Sequence, residues 1–442
     1  MNRPSSPLNP QSLQRAFLVA MAALFAVYGL LLCCGNAGSQ RDLFYMGGQD
    51  LLSDMLNTEE YARDLDPYGF SQGADRIPFK DANYPPLAYV LFWLIDAASG
   101  RDITTPRAMV VALAFGTLSL VLLFLGLERL PGQAVDKRRR RLLALALAVS
   151  APALFAFERG NIILLCAALC IWFLLGYRSP RPILRELSFI ALAIAAALKV
   201  YPALLGLLLL RERRYREALR LAAYGAGAVF LPFLCMEGGF SNLPLLLDNF
   251  SAHTAYYTRL IYPRFGFRLF ASITYDTTFC DPFLNANLWR LGEKLYRFMP
   301  WVDGALACCC LGGVFALKQP WERLAAIMLV IVNYPVNSGY YTALYLLPAI
   351  MLLLASQEVT PFNGLCLCLF LVVLNPVQIP IPYRTLGVAD PILCNVTDIL
   401  RNLAAYALFV LFAVRGVLAA IGSISSKRKA EPALPGLSGQ PF

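Results

Sequence analysis

The chain has 442 residues, of which 58% are hydrophobic and 15% charged, with a formal net charge of +10. That balance leaves too few polar residues to solvate the surface of a soluble protein, and excludes one. The basic residues fall in short clusters between apolar runs rather than on one polar domain, so they read as membrane anchors and exclude a nucleic-acid surface.

The first apolar run, 16–34, follows Arg3 and Arg15. It is long for a signal peptide and no clean small-x-small cleavage site follows it, so an uncleaved span is expected. Further runs able to cross lie near 107–127, 141–157, 161–177, 187–198, 201–210, 217–236, 300–317, 323–335, 342–356, 364–379 and 398–421. Between them sit "DKRRRR", "RSPRPILR" and "RERRYREALR", and "SKRK" follows the last. The segment "YPPLAYVLFWLIDAAS" is about 20 Å long as a helix from Leu87 to Ser99. It is expected to lie along the outer interface, because only then do all four basic clusters face the cytoplasm.

The expected fold is therefore an all-α polytopic bundle of about twelve transmembrane helices, with both termini cytoplasmic. One integral domain covers 1–425, with large outer segments at 35–106, carrying juxtamembrane helices, and at 237–299. A disordered cytoplasmic tail, 426–442, is expected after it. Basic loops on both sides of 187–210 require the chain to rise, break and return within it. Pro202 lacks a backbone donor and explains the break, which puts Lys199 and Tyr201 near an apex below the outer surface.

The cysteines lie mostly inside apolar runs such as "ACCCLGG" and "CLCLF", and His253 is the one histidine. No metal-ligand spacing results, so no metal and no cofactor is expected. Cys280 and Cys394, in outer loops, are either a pair or free thiols.

Several polar groups gather on the outer side: Asp42 and Tyr45 after the first span, Glu158, Arg159 and Asn161 in "FERGN", Lys199 and Tyr201 at the break, and "NYPVNSGYY" at 333–341. Charges at a membrane boundary are costly without a partner, which makes these functional candidates. Glu158 and Arg159 pairing with each other is the competing structural reading. Asp50, Asp54, Glu59, Glu60, Asp64 and Asp66 read as the solvated face of interfacial helices, and Tyr68, Tyr84 and Trp93 as an aromatic belt. A carboxylate beside partly buried cations suits activation of an acceptor hydroxyl while a phosphate departs.

The order Asp42-Leu-Phe-Tyr45, "DPYG" at 66–69, "NYPPLAY" at 83–89, "ERGN" and "ALKVYPALLGLLLLRERRYREALR" resembles glycosyltransferase family 87. These are polyprenyl-phosphate-sugar-dependent enzymes of the GT-C type, among them mycobacterial mannosyltransferases. The resemblance covers roughly 17–220 and fades beyond.

The resemblance implies a GT-C-like bundle that moves a hexose such as mannose, with inversion, from a polyprenyl-phosphate donor to a lipid or glycan acceptor. The work would be done at the extracytoplasmic face of the cell membrane, in envelope biosynthesis. It gives Asp42 the part of catalytic base and places Lys199, Arg159 and Tyr201 at the donor phosphate. Tyr45, Tyr84, Asn161, Asn337, Tyr340, Tyr341 and His253 are the substrate-binding candidates. Two departures stand out: "ERGN" in place of the family's Gly-Gln-x-Asn, and "VNSGYYTALYLLPAI" without the family's histidines. The rival readings are a transporter or lipid flippase, for which broken helices are also typical, and an inactive relative that scaffolds an envelope assembly.

Overall fold

The computed structural model describes residues 9–34, 51–70, 82–101, 105–257, 265–266, 286–335, 338–383 and 392–430. The described chain is overwhelmingly helical. Its exception is a two-stranded antiparallel ribbon, Pro380–Tyr383 against Ile392–Asn395, with Pro380 opposite Asn395.

Helix starts follow from local chemistry. Pro opens Pro10–Cys33, Pro106–Arg129, Pro182–Leu198, Pro320–Asn333 and Pro361–Leu374, where its missing N–H would have had no partner anyway. Asn9, Thr105, Asp136 and Thr360 cap first turns with side-chain oxygens that accept backbone N–H groups.

Among the described residues, five helices are long and apolar enough to cross a membrane: Pro10–Cys33, Pro106–Arg129, Tyr215–Cys235, Arg297–Ala316 and Val396–Ser423. Lys137–Ala148 and Ala151–Glu158 make a sixth if taken together, bent by 51°. The straight run expected at 141–157 is thus broken, because Ser150 is extended and Pro152 begins a new helix. The other apolar runs fold as shorter helices, below the roughly 20 residues that a single straight crossing takes. The last helix, Val396–Ala430, continues into the segment expected to be a disordered tail.

The rise and return at 187–210 is present. Helix Pro182–Leu198 climbs roughly 25 Å, Lys199 is extended, and the chain descends as a 3-10 helix, Tyr201–Gly206, followed by Leu207–Arg211. Ion pairs Arg178–Glu212 and Arg185–Glu217 bring both basic loops to the same end. A 3-10 turn rises about 2.0 Å per residue against about 1.5 Å in an α-helix, which lets a short descending limb approach the height of the climb.

The core sits where Pro106–Arg129, Ile163–Gly176 and Pro182–Leu198 pack, and around Pro320–Asn333, which is buried from Trp321 to Asn333. Helices Ala286–Ala316 and Val396–Ala430 cross at Gly313 and Gly416. A Cβ on Gly313 would stand 2.6 Å from the Gly416 Cα, so only glycine allows this approach.

Two expectations for the first outer segment are corrected. Glu60 and Asp64 are exposed and Asp66 half-buried, but Asp54 is half-buried and Glu59 is 1% exposed. Tyr68, expected at the membrane interface, is fully buried against Tyr89 and donates to the Tyr84 carbonyl at 2.8 Å. Helix Ser53–Ala62 is therefore packed rather than solvated, its inner face lying against Pro86–Ser99.

Glu59 meets the equally buried Asp96 across that contact. Burial, then the Asp96 charge, push the Glu59 carboxyl up to about 7, with Arg63 opposing. A raised folded value means that the native state holds the proton more tightly, so the contribution is complete below the ordinary value of 4.5 and lost as pH rises through about 7. Glu59→Gln should accordingly melt higher than the wild type at pH 8 and like it at pH 5. The difference should reach a few kcal/mol at most, since a tenfold change in proton affinity corresponds to about 1.4 kcal/mol. Thermal melts at the two pH values check this.

Candidate functional site

The site is built on the turn after helix Ala151–Glu158. Arg159 closes that helix, Gly160 takes φ +62°, and Asn161 lies just before the next, Ile163–Gly176. A Cβ on Gly160 would come within 2.8 Å of the Met55 side chain, so glycine serves both the left-handed turn and the close approach of helix Ser53–Ala62.

Two backbone bonds seat that helix on the turn: Leu52 N to Glu158 O at 2.8 Å and Asp54 N to Arg159 O at 3.1 Å. Side chains complete the clamp. Arg159 donates to Asp54 through Nε at 3.0 Å and Nη2 at 2.8 Å, and Asn161 Nδ2 donates to Asp54 Oδ2 at 2.7 Å. Asn161 Oδ1 accepts from Ile163 N at 2.9 Å, so one side chain caps a helix and holds the carboxylate.

Burial raises the Asp54 carboxyl, but the hydrogen bonds and charge of Arg159, then Asn161 and Lys199, outweigh it and hold Asp54 below the ordinary carboxylate range. Both of its oxygens are engaged by donors, which makes it a positioning group and a poor base. Arg159, expected to meet the donor phosphate or to pair with Glu158, has its fork turned to Asp54.

Lys199 lies on the same side. Its Nζ is 4.9 Å from the Tyr84 ring centre and 5.5 Å from that of Tyr341. Among the described residues no carboxylate stands within ion-pair distance of it. Two aromatic faces stabilise an ammonium without neutralising it. The wall continues through Phe155, stacked on Tyr341 at 5.9 Å, to the Arg159 guanidinium, 5.7 Å from the Phe155 ring centre.

Tyr84 lies within the fields of Asp54, Arg159 and Tyr201, and burial and then the Asp54 charge keep its phenol protonated. Tyr201 and His253 both feel the Lys199 charge. Burial, then Lys199, push the His253 imidazole down to about 4, so it is neutral at physiological pH. Tyr340 serves the scaffold: its hydroxyl donates to Val373 O at 3.0 Å, and Arg401 lies 4.3 Å above its ring.

The structure thus gathers Arg159, Asn161, Lys199, Tyr84, Tyr341, Tyr201 and His253, and turns the Tyr340 hydroxyl away. Asp42, Tyr45 and Asn337 lie outside the described residues. Asp54 is the member that sequence reasoning missed. The available signal was the "ERGN" turn, whose guanidinium and amide need an acceptor once buried.

Chemically, the described residues of the site offer a cation without an ion pair in an aromatic cage, beside a clamped carboxylate and a neutral imidazole. No curated protein and no solved structure gives a significant match to the chain. The family description Glycosyltransferase family 87 does match, over residues 83–356. The match takes in Tyr84, Arg159, Asn161, Lys199, Tyr201, His253, Tyr340 and Tyr341, begins after Asp42, Tyr45 and Asp54, and runs well past residue 220, where the resemblance noted above fades. With most of the chain matched and several helices apolar enough to lie in a membrane, the protein belongs to glycosyltransferase family 87 and is a membrane-embedded glycosyltransferase.

Proposed function

We propose that the protein moves a hexose such as mannose from a polyprenyl-phosphate donor to a hydroxyl of a lipid or glycan acceptor. The transfer takes place on the extracytoplasmic face of the cell membrane, in envelope biosynthesis. The observation that carries this reading is Lys199, a cation with no ion-pair partner among the described residues, held between Tyr84 and Tyr341. An ammonium kept in that state is matched to an incoming phosphate, and its attraction grows as charge develops on the leaving group. The Asp54–Arg159–Asn161 clamp fixes the wall against which the donor lies.

In this mechanism the acceptor oxygen attacks the anomeric carbon as its proton passes to Asp42. The bond from that carbon to the phosphate oxygen breaks, and the electron pair leaves with polyprenyl phosphate, its charge met by Lys199. A single displacement inverts the anomeric centre and needs one base, with no second carboxylate. Tyr201, His253, Tyr45 and Asn337 complete the pocket around donor and acceptor. The surrounding bundle is of GT-C type, with about twelve crossings in which short helices pair end to end and both termini are cytoplasmic.

Asp42→Asn in membranes supplied with polyprenyl-phosphate sugars tests the base. Transfer should fall by about 10²–10⁴-fold, as measured by labelled sugar incorporated into lipid or glycan; undiminished transfer removes Asp42 from the reaction.

A further inference from the structure

A second group of cations lies at the end of the bundle opposite Lys199. Helix Pro182–Leu198 separates the two ends, with Arg185 near one and Lys199 at the other. Tyr177 is its centre. The Arg178 and Arg214 guanidiniums stand 5.2 and 5.9 Å from its ring centre, and its hydroxyl donates to Glu212 at 3.1 Å. Arg323 acts electrostatically on the same phenol, and Arg211 and Arg178 act against Arg323 while the Glu212 charge acts in its favour without reaching ion-pair distance.

The carboxylates nearby are engaged elsewhere. Glu212 is held by Arg178 and Arg214, and Glu217 by Arg214, Arg185 and Arg220. Glu322, the neighbour of Arg323 in sequence, pairs with Arg415. Arg211 is fixed in place with no ion pair among the described residues: its Nε donates to Val314 O at 3.0 Å and its Nη2 to Leu317 O at 3.4 Å.

Arg323 remains. It is 8% exposed, and among the described residues its guanidinium has neither an ion pair nor a hydrogen-bond acceptor. A guanidinium cannot shed its proton in a protein, so a largely buried one without an ion-pair partner favours an anion supplied from outside the chain. The planar fork fits a phosphate in two-point contact.

We propose that Arg323 and Arg211 form a phosphate-binding site at this end of the bundle, distinct from the donor site at Lys199. The phosphate group belongs either to the headgroup of an anionic lipid in the adjacent leaflet or to a soluble phosphate compound. Occupancy joins the start of Pro320–Asn333 to the end of Ala286–Ala316, and stabilises the folded chain by preferential binding.

The test is the thermal unfolding midpoint of the full chain in nanodiscs. One arm adds inorganic phosphate to phosphatidylcholine discs; the other places phosphatidic acid in the discs without free phosphate. At least one arm should raise the wild-type midpoint by several degrees. Arg323→Gln and Arg211→Gln should lose the part of that rise that persists in Lys199→Met, and Arg323→Lys should keep some of it. A rise in the first arm assigns the site to soluble phosphates, and a rise confined to the second assigns it to lipid. Equal rises in wild type and Arg211→Gln, or none in either arm, overturn the proposal. Arg211→Gln decides the matter should Arg323→Gln fail to fold, since Arg211 is only half-buried. None of these readings depends on sugar transfer, so the site and the enzymatic proposal fail separately.

Discussion

Membranes carrying Lys199→Met should transfer sugar at least about 100-fold more slowly than wild type, the scale seen when one preorganised donor to a developing anion is removed. Methionine keeps the length and apolar stem of lysine, so Tyr84 and Tyr341 keep their contact and only the charge is lost. Because leaving-group charge is greatest in the transition state, kcat should fall while the acceptor KM stays near its wild-type value. Lys199→Arg, which retains the cation on the same aromatic faces, should recover part of the rate. A Lys199→Met enzyme within a few-fold of wild type would show that the departing phosphate is met elsewhere.

Asp54→Ala should destabilise the folded chain by about 3–5 kcal/mol, the cost of leaving a buried ion pair half-made. The side chains of Asp54 and Arg159 are 19% and 12% exposed, so water replaces little of what is lost. The double variant Asp54→Ala/Arg159→Met should regain much of that stability, because it leaves no guanidinium without its carboxylate. Coupling between the two changes, read from unfolding midpoints of the four proteins, measures the clamp directly. Additive effects would mean that the contact contributes little. The pH dependence has a definite sign: a carboxyl held below its ordinary value of 3.8 contributes above that value, and its contribution is lost as pH falls below it. Glu59, five positions along the same helix, behaves oppositely, so mild acid strengthens the back of the helix before stronger acid loosens its front.

Much of the site is legible in the sequence. Lys199 and Tyr201 stand out because two basic clusters flank a short apolar run interrupted by Pro202, a pattern that only a rise and return can satisfy. Arg159 and Asn161 stand out as polar residues in an apolar hairpin. The partner of Arg159 is not legible. Glu158 is its neighbour in sequence, yet the guanidinium reaches Asp54, 105 positions away. Nothing in the local pattern distinguishes Asp54 from Glu60 or Asp64, which remain exposed.

The amino-acid sequence determined what depends on composition and period: a membrane-embedded helical chain, its basic loops, its helix starts and the family to which it belongs. These follow from transfer free energies and local backbone chemistry, each a property of a short segment. Tertiary structure alone decided which charges are neutralised and which are kept. Asp54 quenches Arg159, Lys199 rests on two rings, and Arg323 is largely buried with no ion-pair partner among the described residues. Those outcomes depend on distances between segments far apart in the chain, where a shift of a few ångströms turns a solvated charge into a buried one, and no local pattern records that.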